Sequence, residues 1–100
     1  MKRNYIGCAI CDSTWGDVWA AVEGERMFFC CELCVVQFRG LCDRIRAETG
    51  WSAIEAIEIV GDRRGRSCRA SAGTRTFACV VAFNPQGKIR RFETVAPPPS

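Results

Sequence analysis

Residues 29–38 read FCCELCVVQF, and this stretch decides how the first half of the chain folds. It contains a C-x3-C pair, Cys30 and Cys34. A C-x2-C pair, Cys8 and Cys11, lies eighteen residues upstream. Two thiolates at either spacing can point at one ion, and four thiolates complete a closed tetrahedral Zn²⁺ site. The pattern therefore predicts one structural Zn²⁺ per chain at these cysteines.

The third ligand has an alternative in Cys31, which forms a C-x2-C pair with Cys34. This spacing also makes an ordinary zinc knuckle. If Cys30 is the ligand, Cys31 is a spare thiol at a predicted helix N-terminus, where a lowered pKa favours metal exchange or redox sensing. The other interpretation is a small side chain that only fills space.

The residues between and after the two pairs predict a hairpin followed by a helix. Residues 17–22 and 26–29 are the predicted strands, around a turn at residues 23–25. Apolar side chains then recur at helical spacing over residues 31–48, with Cys42 on the apolar face. Gly40 weakens this helix by roughly 1 kcal/mol relative to Ala. We expect Gly50 to end it in a left-handed conformation.

The second half predicts a small antiparallel sheet. Strands are expected over residues 55–60, 66–72, 76–83 and 88–95, the last at an edge or with a bulge. A turn at residues 73–74 pairs Cys68 with Cys79. These two thiols could pack in the core, form a cross-strand disulfide or bind a second metal.

The predicted fold class is therefore α+β, in one compact domain. Residues 1–48 form a zinc lobe with knuckle, hairpin and helix, and residues 49–96 form the sheet that packs on the helix. Residues 97–100 are expected to be a flexible proline-rich tail.

Over residues 7–42 the pattern resembles the TRASH domain, a treble-clef module of heavy-metal trafficking, resistance and sensing. The cysteines match its ligand pattern, and Phe38 matches its aromatic residue. The resemblance favours Cys30 over Cys31 as the ligand, because Cys31 stands where the family usually has Ser. Asp12 also departs from the glycine that commonly follows the first pair. The whole chain resembles, in addition, a family of small archaeal zinc-binding proteins of unknown function.

Composition limits the classes of protein to consider. The chain has 100 residues and eight cysteines. Its first residues lack the apolar region of a secretory signal, and no run is long enough to cross a membrane. We therefore expect a cytoplasmic protein that does not contact the membrane. It has no histidine and no glycine-rich phosphate loop, so we expect no catalytic activity.

Positive charge is concentrated in the second half. Residues 1–50 carry six Lys and Arg against seven Asp and Glu, a net −1, whereas residues 51–100 carry eight against four, a net +4. The candidate nucleic-acid contacts are Arg63, Arg64, Arg66 and Arg69. The alternative is a solvated sheet face and loop.

The sequence thus favours a structural zinc-binding protein that acts as a non-catalytic interaction module for an unknown protein partner. One alternative is a heavy-metal trafficking or sensing protein, in which the same thiols hold a soft ion such as Cu(I). The other is an RNA- or DNA-binding module that uses the basic sheet face.

Overall fold

The computed structural model describes residues 2–3, 8, 10, 16, 18–62 and 65–95. In these residues the elements follow one another in an α+β order. They are β1 (Lys2–Arg3), β2 (Val18–Val22), β3 (Glu25–Phe29), α1 (Glu32–Thr49), β4 (Ala56–Asp62), β5 (Gly65–Ala72), β6 (Arg75–Phe83) and β7 (Ile89–Val95).

The predicted hairpin is present as β2 and β3. The strands pair antiparallel, and Val22 opposite Glu25 closes a two-residue turn. Both turn residues have positive φ, 53° at Glu23 and 78° at Gly24. Two consecutive left-handed residues match the twist of the strands they join. This tight turn reverses the chain, so that β3 leads directly to Cys30.

The helix begins and ends one residue later than predicted. Cys31 is its N-terminal cap and is still extended, with φ −160° and ψ 168°. Gly50 ends the helix at φ 77°, and its N–H donates to the carbonyl of Arg46, as expected for a left-handed cap. One face of α1 is buried; its residues are Cys34, Val35, Phe38, Leu41, Cys42 and Ile45.

The second half forms the expected sheet, and its hairpin has the predicted register. Cys68 pairs with Cys79 and Ala70 with Phe77. The strand order is β1-β4-β5-β6-β7, antiparallel from β4 to β7. Strand β7 is at an edge, and its register with β6 shifts between Ala82 and Phe83. The sequence did not predict β1, which pairs in parallel with β4.

The core lies between α1 and one face of the sheet, with the β2–β3 hairpin closing one end. The ring centroids of Phe29 and Phe38 are 5.8 Å apart, so the end of β3 packs directly on α1. Buried sheet residues facing the same core are Ile57, Ile59, Cys68, Ala70, Cys79 and Val81. The hairpin and the helix therefore meet at a fixed junction, residues 29–34. A helix long and apolar enough to cross a membrane is absent from the described residues.

The coarse fold class is confirmed, since the described residues contain both a helix and a largely antiparallel sheet. The finer treble-clef shape depends on the knuckle at Cys8–Cys11. Cys11 and Asp12 lie outside the described residues, as do Arg63, Arg64 and the tail.

Candidate metal centre

The strand-to-helix junction holds the predicted second cysteine pair. Strand β3 ends at Phe29 and α1 begins at Glu32, so Cys30 follows a strand and Cys34 lies in the first helical turn. Their Sγ atoms are 3.5 Å apart. The change from extended to helical backbone brings together two side chains that are four positions apart.

Cys8 completes a cluster of three thiols. The Sγ atoms of Cys8, Cys30 and Cys34 all lie within 4.8 Å of one another. Their residues are 0 %, 6 % and 7 % exposed. Thiolates around a tetrahedral Zn²⁺ are separated by about 3.8 Å, given Zn–S bonds of about 2.3 Å. The donor set and its spacing fit a thiophilic ion, so this thiol cluster could hold a metal.

Cys31 lies at the rim of the thiol cluster. Its Sγ is 3.9 Å from that of Cys30 and 3.8 Å from that of Cys34, and its side chain is only partly buried. Burial, the largest single influence, raises the pKa of the Cys31 thiol. Hydrogen bonds from the backbone and side chain of Cys34 and from Cys30 together outweigh it, so the pKa is lowered overall.

The predicted ligands are thus brought together as far as the described residues extend. Cys30, not Cys31, belongs to the buried group of three. Cys11, the predicted fourth ligand, lies outside the described residues. The complete ligand set therefore stays a prediction.

Gly16 is a site residue that the sequence analysis missed. Its φ is 95°, and a Cβ placed there would overlap the carbonyl of Cys30 and lie 2.9 Å from the Cys30 Cα. Only glycine accommodates both the positive φ and this close approach. Gly16 thereby lies directly against the backbone of Cys30. The one available sequence signal was an isolated glycine just before a predicted strand.

Three other cysteines, Cys42, Cys68 and Cys79, form a separate set, here called the core thiols. All three are buried between α1 and the sheet, and none is in a disulfide. The hydrogen bond to Cys79 and then burial raise the pKa of the Cys68 thiol. Burial, and next the carboxylate of Glu23, raise the pKa of Cys42 to about 12. The hydrogen bond with Cys68 lowers the pKa of the Cys79 thiol, although burial acts in the opposite direction. Cys42 and Cys68 stay protonated, and all three core thiols pack as small apolar side chains.

The two described members of the nucleic-acid candidate set point in opposite directions. Arg66 shares the face of β5 with the buried Cys68 and Ala70, whereas Arg69 alternates to the other face and is exposed. The Arg66 guanidinium donates to the carbonyl of Gly61 at 3.1 Å. The nucleic-acid prediction is untested, but these two arginines do not share one sheet face.

Comparison with known proteins gives one family. No curated protein and no solved structure matches the chain significantly. The TRASH resemblance is not confirmed by these comparisons. The model of the Ta0938 family matches residues 5–95, which include the thiol cluster, the helix and strands β2 to β7. The chain therefore belongs to the Ta0938 family, a small family of archaeal origin.

Proposed function

We propose that this chain is a structural zinc-binding protein that acts as a non-catalytic interaction module. Cys8, Cys30 and Cys34 would supply three thiolates, and Cys11 is the proposed fourth. The observation that carries the proposal is the buried group of three Sγ atoms within 4.8 Å of one another. Among the described residues, the Sγ atoms of this group are close enough to share one ion, whereas those of the core thiols do not form such a group.

Zinc is the proposed ion for two reasons. Thiolates favour soft or borderline ions over Mg²⁺ or Ca²⁺, and four of them make the closed, non-catalytic form of a zinc site. The helix N-terminus at Cys31 adds positive potential beside the sulfurs. The strand-to-helix position of Cys30 and Cys34 also supports the proposed treble-clef arrangement. The ion would join the N-terminal segment, the hairpin and α1.

The test is elemental analysis of protein purified without added metal, with reactive thiols counted before and after chelation. We expect about one zinc per chain and the release of four thiols together on chelation. Metal-free protein with the same thiol count before and after chelation would contradict the proposal.

A second candidate, heavy-metal trafficking or sensing, is favoured by Cys31. A partly buried thiol within 4 Å of two cluster thiols could take over a soft ion during transfer. Competition with a Cu(I) chelator separates the two functions. Rapid exchange that slows in Cys31→Ser would favour trafficking, whereas slow exchange in both proteins would favour a structural ion.

A further inference from the structure

Gly40 lies in the middle of α1, where it serves no packing purpose within the described part of the chain. Glycine inside a helix costs about 1 kcal/mol relative to alanine. The backbone of Gly40 is helical, and a Cβ placed there would meet no described atom within 4 Å. Neither a special φ nor a close internal neighbour explains the missing side chain. The open space above Gly40 is therefore a feature of the surface.

That space belongs to a groove between α1 and the start of β7. Its volume is about 560 Å³ and its lining is mostly apolar. Val36 and Gly40 form the helix side of its floor, and Ile89 forms the sheet side. Beside it, a Cβ at Gly87 would lie 2.9 Å from the Leu33 side chain and 3.2 Å from that of Val36. The turn before β7 thus lies directly against the helix, and both Leu33 and Val36 remain exposed.

The rim of the groove carries three cations. Arg39, Arg44 and Lys88 are its basic lining residues. Among the described lining residues, Asp43 is the one acid, and the guanidinium of Arg46 binds its carboxylate. Arg44 is likewise ion-paired, with Glu48, so the positive charge of the lining comes mainly from Arg39 and Lys88. An occupant with negative charge is favoured on this surface.

Two of these cations are held in position. Arg39 donates to the carbonyl of Ala21 at 3.1 Å, and this hydrogen bond holds its guanidinium against strand β2. The Arg44 guanidinium lies 4.6 Å from the centre of the Phe92 ring and donates from Nε to Glu48 at 2.9 Å. Side chains that are already ordered lose less entropy when a partner binds.

We propose that this groove binds an acidic segment of a partner protein, with an apolar side chain over Gly40 and carboxylates toward Arg39, Arg44 and Lys88. A protein segment fits better than a nucleic acid, because the described lining contains no aromatic ring for base stacking and Arg44 covers the ring of Phe92. This assignment rests on the interaction-module part of the proposed function and names the chemistry of its partner.

The experiment selects a displayed library of random short peptides against the full chain. We expect the selected sequences to combine Asp or Glu with Leu, Ile, Phe or Trp. A synthetic peptide of the selected sequence then serves as the probe for titration.

Gly40→Leu fills the groove and improves the helix, so it should weaken binding by about tenfold or more without loss of stability. Lys88→Glu should weaken binding by a similar factor through charge.

Arg75→Glu is the matched control, since Arg75 is an exposed cation at the start of β6 and is not among the described lining residues of the groove. It should leave peptide affinity unchanged. Selected peptides that lack acidic residues, or that bind Gly40→Leu as tightly as the unmodified chain, would overturn the assignment. The assignment would also be wrong if single-stranded RNA bound instead of the peptide and Lys88→Glu weakened RNA binding by the same factor.

The groove contains no cysteine, so its test is separable from the metal test. Peptide binding with no zinc in the protein would remove the structural-zinc proposal and keep the groove. One zinc per chain with no peptide selected would support the structural-zinc proposal and contradict the groove proposal.

Discussion

The thiol cluster and the core thiols place the same residue type in two opposite surroundings. Cys30 and Cys34 share the strand-to-helix junction, and Cys8, which is distant in sequence, converges with them beside a helix N-terminus. Cys68 and Cys79 face each other across two strands under the helix, with Cys42 above them. Both sets are buried, so burial alone does not distinguish a ligand from a small apolar side chain. The distance between the sulfurs does: among the described residues, only the Sγ atoms of the thiol cluster form a group of three that could hold one ion.

The largest expected difference between the sets is the effect of removing one thiol from the cluster. Cys34→Ser should abolish stoichiometric metal binding and lower the free energy of unfolding by about 3 kcal/mol or more. The ion would no longer join the hairpin to α1. Metal content and urea unfolding measure the two effects. If the variant does not fold, chelation of the unmodified protein should cause a matching loss of stability; full stability after chelation would show that the cluster is not a structural metal site.

Removing a core thiol should have a smaller and different effect. Cys79→Ala should lower the free energy of unfolding by about 1–2 kcal/mol, because it leaves a small cavity beneath α1. Metal content should remain that of the unmodified chain. Elemental analysis beside urea unfolding checks both statements. Loss of metal in Cys79→Ala would contradict the distinction between the thiol cluster and the core thiols and would indicate a second metal site.

Alkaline pH should lower the free energy of unfolding through the core thiol Cys42. The pKa of Cys42 is raised from 9.0 to about 12 in the folded chain. The stabilising contribution of this protonated thiol is fully present below pH 9, where both states hold the proton. Above pH 9 the unfolded state loses the proton first, so stability falls up to about pH 12, by at most about 1.4 kcal/mol per pH unit.

Cys42→Val is the control for that pH dependence. Urea unfolding between pH 9 and pH 11 should show a shallower decline in the variant, since Val cannot ionise. Parallel curves for the two proteins would mean that Cys42 does not titrate in this range in the unfolded chain or is not protected in the folded one.

The smallest expected effect is that of Cys31→Ser. Cys31 lies at the rim and outside the buried group of three, so metal content should not change and stability should stay within about 0.5 kcal/mol. Alkylation of the native protein by iodoacetamide should fall, because the partly exposed thiol with a lowered pKa is removed. A loss of metal would instead make Cys31 a ligand and enlarge the cluster.

Predictions that depend on neighbouring residues succeeded. The β5–β6 register followed from a two-residue turn and from the alternation of apolar residues, and it placed Cys68 opposite Cys79. The helix was placed to within one residue by its apolar spacing and by Gly50. Both signals are short-range, because a turn or a cap involves only a few consecutive residues.

Predictions about which distant segments meet were harder. Strand β1 has two residues, too few to show an alternating pattern, and its pairing with β4 spans more than half the chain. Gly16 has no local signal beyond being a glycine, yet its backbone lies directly against that of Cys30. The groove is likewise absent from the sequence, since it forms where α1 and the start of β7 come together.

The sequence by itself determined the helix, the strands from β2 to β7, the register of the β5–β6 hairpin and the C-x3-C pair at a helix start, because periodicity and turn chemistry act over a few residues. Only the tertiary structure decided that Cys68 and Cys79 stay in the core without a disulfide, that Gly16 lies against Cys30, and that Gly40 opens a groove. These outcomes depend on the path of the chain between distant segments. Packing of the whole core, rather than any local preference, sets that path.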